Sequence, residues 1–326
     1  MLTDYEHHIV TFDADAEFRK KFENVAFVHL KSSRKIITVS NIFFLQRIEK
    51  KIKPLIIHAH LLKTNWLSRM AFHKKEKLFN SIHSQYSKDA FGFHAYSLWL
   101  EKYSYNLSNV KLIFVSPYVK EDYENYIHLK RENYILPNFV TNDFFETRQL
   151  KYTPHEPLYL LAVGNVKKLK NYGLLIEVFK KLKDYPIHLD VYGNGDLLAA
   201  FKSEVEKHSL KINFRGIIDS VADRLGNHHA LVFPSFLEGF SIALLEAMAA
   251  STPLILSDIP MFKNLAKDNA YFFNPESSEE CKDAILKFYK EGCPDSAIIK
   301  NQQYVKEHYT GTVYKKNIND IYLNLK

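Results

Sequence analysis

Glycine is missing from the opening of this chain: none of its ten glycines precedes Gly92, and seven of them lie between Gly164 and Gly239. Tight turns and close backbone approaches to a ligand are therefore expected in the second half. Cysteine is nearly missing as well. Cys281 and Cys293 flank Gly292 with neither a disulfide framework nor zinc spacing, which points to a reducing, cytoplasmic compartment. No run approaches the roughly eighteen uncharged apolar residues that a membrane span needs. The first ten residues carry Asp4, Glu6 and two histidines, unlike a signal peptide. Acidic residues are scarce between positions 18 and 77, where Glu23, Glu49 and Glu76 face fifteen lysines and arginines in a chain of net charge +7. Such a stretch either attracts an anionic partner or is a solvated face of surface helices.

What is present suits two domains. With 326 residues and 46% apolar content, each half can bury a core of its own. Strand-like runs at 8–12, 25–30, 55–60, 78–82, 112–115 and 133–136 alternate with stretches of helical length such as 42–52. A polar stretch from Pro137 to Pro157 reads as a linker. The alternation then resumes with strands at 158–163, 188–192, 212–215, 230–234 and 254–257. This pattern predicts an α/β protein of two Rossmann-like parallel-sheet domains, with ligand at the carboxyl ends of the strands. The expected division is 1–145, 154–310 and a C-terminal helix over 311–326 that packs back on the first domain.

Two stretches carry candidate chemistry. In Phe233-Pro-Ser-Phe-Leu-Glu238-Gly239-Phe240-Ser241, a strand runs into a short loop and then a helix, whose free amides and partial positive charge suit a diphosphate. Glu246 shares a helix face with Ala243, Ala247 and Ala250, small neighbours that leave its carboxylate room to accept ribose hydroxyls. On spacing alone, Glu238 equally reads as a helix-start carboxylate and Glu246 as a surface charge. Upstream, a strand enters Gly164-Asn165-Val-Lys167-Lys168-Leu-Lys170 and then a helix, so that cations could neutralise a phosphate leaving group. Tyr192-Gly193-Asn-Gly195 adds a glycine turn at the same sheet edge, without the spacing of a dinucleotide fingerprint.

Taken in order, these motifs resemble the retaining glycosyltransferases of family four, with the GT-B fold. The matching runs are Val163-Gly-Asn to Lys170-Asn, Val191-Tyr-Gly-Asn-Gly, Asn213-Phe-Arg-Gly216, Val232-Phe-Pro-Ser, Glu238-Gly-Phe to Leu245-Glu246-Ala-Met-Ala, and Pro253-Leu-Ile. Glu238 and Glu246 fit the family's Glu-x7-Glu element. The resemblance implies that Gly164, Asn165 and Lys170 address the donor diphosphate and that Glu246 holds the ribose. It implies that Glu238, with Gly239 and the amides of Phe240 and Ser241, engages the donor sugar and phosphate. Gly193, Gly195, Arg215 and Gly216 would complete the donor site, the last two against the base. No metal and no cofactor beyond the nucleotide-sugar substrate is implied.

The first half resembles the family's acceptor domain through Leu55-Ile-Ile-His58-Ala-His60, Asn80-Ser-Ile-His83-Ser, Phe114-Val-Ser and Ile135-Leu-Pro-Asn. His83 is implied to face the transferred sugar. From the residues alone, three histidines invite a zinc hypothesis, but no carboxylate or cysteine accompanies them at useful spacing. Three departures from the family stand out. Asn165 replaces an arginine, with Lys167 or Lys168 as substitutes; Ser251 stands where glycine is preferred; and the family's first strand and glycine loop have no counterpart before Tyr5. The expected activity is transfer of a sugar from a nucleotide diphosphate sugar to a glycan or lipid-linked acceptor in surface polysaccharide synthesis. The alternative is a degenerate relative that binds without turnover. A dehydrogenase lacks its glycine fingerprint, and nucleic-acid binding leaves the donor motifs unexplained. The basic stretch is expected to bring the protein to an anionic membrane surface at the inner face, supplemented by Phe43, Phe44 and Trp66, for each of which ordinary core packing is the alternative.

Overall fold

A computed structural model describes residues 6–11, 26–29, 39–86, 95–147 and 149–323. Strands β1 (His8–Thr11) and β2 (Ala26–His29) pair in parallel as a small sheet. The runs expected at 8–12 and 25–30, and the basic stretch from 18, extend in part outside the described residues. Next come α1 (Val39–Ile52), β3 (Ile57–His60), α2 (Leu62–Ala71), β4 (Leu78–Ile82), α3 (Ala95–Leu107), β5 (Lys111–Phe114), α4 (Pro117–Glu124) and β6 (Asn133–Ile135). The last four strands form a parallel sheet in the order β3-β4-β5-β6. β4 is buried at all five positions, as expected of a parallel strand covered on both faces. α4 begins where Ser116 accepts a hydrogen bond from the Val119 amide and Pro117 presets the first turn.

The second half contains β7 (Leu158–Val163), α5 (Tyr172–Lys181), β8 (Ile187–Tyr192), α6 (Leu198–Lys207), β9 (Ile212–Gly216), α7 (Ala222–Gly226) and β10 (Ala230–Phe233). It continues with α8 (Ile242–Ala249), β11 (Leu254–Ser257), α9 (Pro260–Ala266), β12 (Tyr271–Phe273), α10 (Ser278–Glu291), α11 (Asp295–His308) and α12 (Gly311–Leu323). Its six parallel strands lie in the order β12-β11-β10-β7-β8-β9. The chain works outward from β7 to one edge, then returns to β10 on the other side. The switch point therefore falls between β7 and β10, where the carboxyl ends of the strands open a crevice. Leu160, Ala162, Leu175, Phe179, Leu189, Ile285 and Phe288 are all buried in the layer between this sheet and its helices.

Two compact units result: Met1–Pro137 with Lys315–Lys326, and Asn138–Tyr314. The stretch read from sequence as a linker is tied into the second unit at its start. The Val140 amide donates to the Tyr309 carbonyl at 2.8 Å, and Phe144 is buried in a 3-10 turn, Asn142–Glu146, that packs on α8. Polar composition concealed these two apolar anchors. Ser251, standing where the resembled family prefers glycine, has φ 58°. The turn after α8 is left-handed, which explains that preference.

Candidate active site

In the C-terminal unit the loops after β7, β8 and β9 are stitched together. Gly164 N–H donates to Tyr192 O, Val166 N–H to Asn194 O, and Gly193 N–H to Gly216 O, all within 2.8–2.9 Å. Gly193, at φ +151°, leaves no room for a side chain: a β-carbon there would lie 2.0 Å from Gly164 O, and one at Gly195 would lie 2.4 Å from Val166 O. Gly193 and Gly195 thus hold the rim of the crevice backbone to backbone, which accounts for them without a ligand.

Lys170 closes a 3-10 turn, Lys168–Lys170, on that rim. Its ammonium sits 2.6 Å from Glu238 Oε1, which also accepts from Ser235 Oγ at 2.7 Å. The pair therefore spans the switch point from the β7 loop to the β10 loop, with little solvent exposure of Glu238 (10%). Asn171, in a left-handed conformation, donates to the carbonyls of Pro234 (3.1 Å) and Pro275 (2.8 Å), fixing the start of α5. Tyr172 points its hydroxyl at Gly164 O; burial, and then the Glu238 carboxylate, hold its phenol strongly protonated. Ser235, Asn171 and Tyr172 lie inside the quoted motifs, yet no role was legible for them until the loops were folded together.

Ser241 caps α8, accepting from the Leu244 amide. The remaining first-turn amides have no acceptor within the helix, so they present donors and a partial positive charge. Phe240 rests its ring on Tyr309 and leaves its backbone at the loop. One helical turn onward, burial first and the Asp143 carboxylate second push Glu246 up to about 7. Asn165, Lys167 and Lys168 are exposed on the rim. Arg215 turns the other way: its Nε lies 3.1 Å from Asp190 Oδ2, beside Asn213. Burial opposes ionisation of Asp190, but the bonds from Asn213 and Arg215 outweigh it and lower its pKa. Arg215 thus lines a cavity of about 600 Å³ with Tyr159, His188 and Arg224 whose lining includes none of Lys170, Glu238 and Glu246.

His83 belongs to the N-terminal unit, directly after β4. Its Nε2 is 3.0 Å from His60 Nδ1, and the His60 ring stacks on that of His58. Both nitrogens of His58 are engaged, one by Tyr322 Oη (2.6 Å) and the other by Ser81 Oγ (2.8 Å). A zinc reading does not fit, because His58 has no lone pair to spare and His60 and His83 are bonded to each other. No group of three metal-ligating side chains occurs among the described residues. Burial first, then the neighbouring rings, lowers His58; burial and then the His83 ring bring His60 down to about 4, and burial lowers His83. All three are neutral at pH 7.

With this geometry in view, the comparisons are informative. Residues 143–306 match the family described as Glycosyl transferases group 1, and residues 3–144 match Glycosyltransferase Family 4. Over 154 residues the chain is 32% identical to the O-antigen chain mannosyltransferase RfbU of Salmonella typhimurium, covering 46% of this chain and 43% of that protein. The chain therefore spans less than half the length of that relative. A glycosyltransferase of Methanocaldococcus jannaschii is 26% identical over 309 residues, covering 87% of this chain and 80% of its own. Among solved structures, Anabaena HepE with UDP-glucose superimposes at TM-score 0.81 and 12% identity, covering 98% of this chain and 92% of that one. That likeness shows the GT-B fold, with two parallel-sheet α/β units.

Proposed function

Because this chain belongs to the group 1 glycosyltransferases, with a family 4 N-terminal half, we propose that it moves a sugar from a nucleoside diphosphate sugar to a hydroxyl of a glycan or lipid-linked acceptor. Retention at the anomeric carbon and a place in surface polysaccharide synthesis are part of this reading; the O-antigen mannosyltransferase relative supports the latter. The observation that carries it is the Lys170–Glu238 pair, 2.6 Å apart, at the switch point beside the capped start of α8.

The diphosphate occupies the mouth of α8, with Lys170 and the first-turn amides stabilising the charge it gains as the anomeric C–O bond breaks. Glu238 then exchanges Lys170 for the donor sugar's hydroxyls. Glu246 accepts the ribose hydroxyls, and the acceptor oxygen attacks the face the diphosphate leaves, passing its proton to the departing phosphate oxygen as the new bond forms. Neutral His83, oriented by His60, positions the reacting sugar. The positive charge comes from Lys170 and α8, so transfer proceeds without metal. The basic stretch carries the protein to an anionic lipid surface on the cytoplasmic face, where the acceptor resides. No helix among the described residues is long and apolar enough to cross a membrane.

Titration calorimetry of the full chain with UDP and with GDP in EDTA tests this. One of them should bind, and Lys170→Ala should weaken it at least about tenfold, as expected for a lost charge-assisted bond. Binding that appears only with magnesium or manganese would refute the metal-free account; no binding of either nucleotide would refute the donor site.

A further inference from the structure

Helix α3 (Ala95–Leu107) keeps its one carboxylate, Glu101, fully buried and turns aromatic side chains outward. Tyr96, Trp99, Tyr103 and Leu107 are 69%, 56%, 50% and 45% exposed. Their three- and four-residue spacing aligns them on one face over about 16 Å of helix axis. The rings are stacked: Tyr96 on Trp99 at 6.1 Å, and Trp99 on Tyr103 at 5.3 Å with only 9° between planes. Cations border this stripe. Lys102 is exposed on the same helix, and Lys130 Nζ lies 3.3 Å from Asn106 Oδ1 at its end. Arg131 donates to the carbonyls of Tyr105 (3.0 Å) and Asn106 (3.3 Å) and makes no ion pair among the described residues. Glu132, the nearest acidic neighbour in sequence, is held by Lys111.

We propose that this exposed face of α3 is the surface by which the protein seats itself on an anionic lipid bilayer, the helix lying flat in the headgroup region. Indole and phenol rings partition to that region because each has an apolar body and a polar edge, and flanking lysines and arginines add attraction to acidic headgroups. The stacking favours lipid over a sugar chain. Rings that cover one another's faces offer mainly edges outward, whereas a sugar platform needs open faces. The proposal adds a second, separate contact to the membrane association of the proposed function and rests on that reading, but not on the donor site.

Trp99 is the reporter, since Trp66, the other tryptophan, is buried. With phosphatidylglycerol vesicles at low salt, its emission should shift to the blue and be quenched by brominated acyl chains. Tyr96→Ser/Trp99→Ser/Tyr103→Ser should lower vesicle partitioning by about tenfold or more, given the apolar area removed, with thermal unfolding and nucleotide binding unchanged. Lys102→Gln/Lys130→Gln should weaken binding and flatten its salt dependence. Vesicle binding that survives the triple substitution, or leaves Trp99 unquenched, would overturn this surface while sparing membrane contact through the basic stretch. Absence of binding to any vesicle would overturn both. Equal binding to phosphatidylcholine would overturn the anionic assignment. Self-association abolished by the triple substitution, without vesicle binding, would make the face an interface between copies.

Discussion

The two α/β units place their charges in opposite ways. In the N-terminal unit, Arg69 on α2 and Glu101 on α3 are both fully buried and meet at 2.6 Å. Trp66 and Tyr123 donate to the same carboxylate, and Arg69 Nε donates to Asn80 Oδ1 at 2.6 Å. Desolvation opposes the charge on Arg69, but Glu101 outweighs it and raises the guanidinium's pKa. In the C-terminal unit no Asp, Glu, Lys or Arg is fully buried among the described residues, and the closely paired charges Lys170 and Glu238 stand at the strand ends. A buried pair contributes little net stability relative to an apolar replacement, yet it is costly to break. A pair at the crevice can exchange one partner for a ligand. Charge is thus a structural element in one unit and a binding element in the other.

The largest expected effect tests the first half of that contrast. Glu101→Gln leaves the Arg69 charge buried without its counter-ion and should cost about 3–5 kcal/mol. Both tryptophans lie in the N-terminal unit, so the loss should be read in urea by tryptophan fluorescence. Arg69→Met/Glu101→Leu should recover most of it. If Glu101→Gln is neutral, the buried pair is not the keystone of that core.

Lys170→Ala tests the second half. Losing a preorganised cation at the leaving group should lower turnover by about 10²–10³-fold, while the free energy of unfolding falls by no more than about 1 kcal/mol, the range of a solvent-accessible ion pair. Equal losses of turnover and stability would erase the distinction between the units.

This contrast also marks where sequence reading succeeds and stops. β4 and β11 were legible residue for residue, because buried parallel strands read as short runs bounded by turns. The positions of Glu238 in the loop and Glu246 a turn into α8 were legible, because a strand, a short glycine loop and a helix in succession set their separation. Arg69 was counted into a basic surface stretch and Trp66 into a membrane contact, but both are buried. Their shared partner, Glu101, is more than thirty positions away, and nothing local announces the pairing. Arg215 read as a base contact, yet its side chain is committed to Asp190, a cross-strand neighbour visible only in the register of β8 and β9. The aromatic spacing of α3 is periodic in the sequence, but which face it turns to solvent depends on the burial of Glu101.

The smallest effect is a difference in the sign of pH dependence. Glu246 has its folded pKa raised from 4.5 to about 7, so between those values the folded state binds the extra proton. Stability from this group is present below about 4.5 and lost as pH rises through about 7. His58, His60 and His83 have folded pKa values depressed below 6.5, His60 to about 4, so the unfolded chain binds the extra protons. Their contribution is present above 6.5 and lost as pH falls toward 4. Hydrogen exchange corrected for intrinsic rates should therefore show β4 losing protection, relative to β7, as pH drops from 7.5 to 5.5. Glu246→Gln should flatten the β7 trend, and His60→Gln/His83→Gln the β4 trend. Nucleotide adds a further check: ribose hydroxyls donating to Glu246 favour its carboxylate, so binding below pH 7 should release a proton, and affinity should climb with pH and level off above about 7. Calorimetry in buffers of different ionisation enthalpy reads that proton directly. No proton release at pH 6, or the same release from Glu246→Gln, would remove Glu246 from contact with the nucleotide.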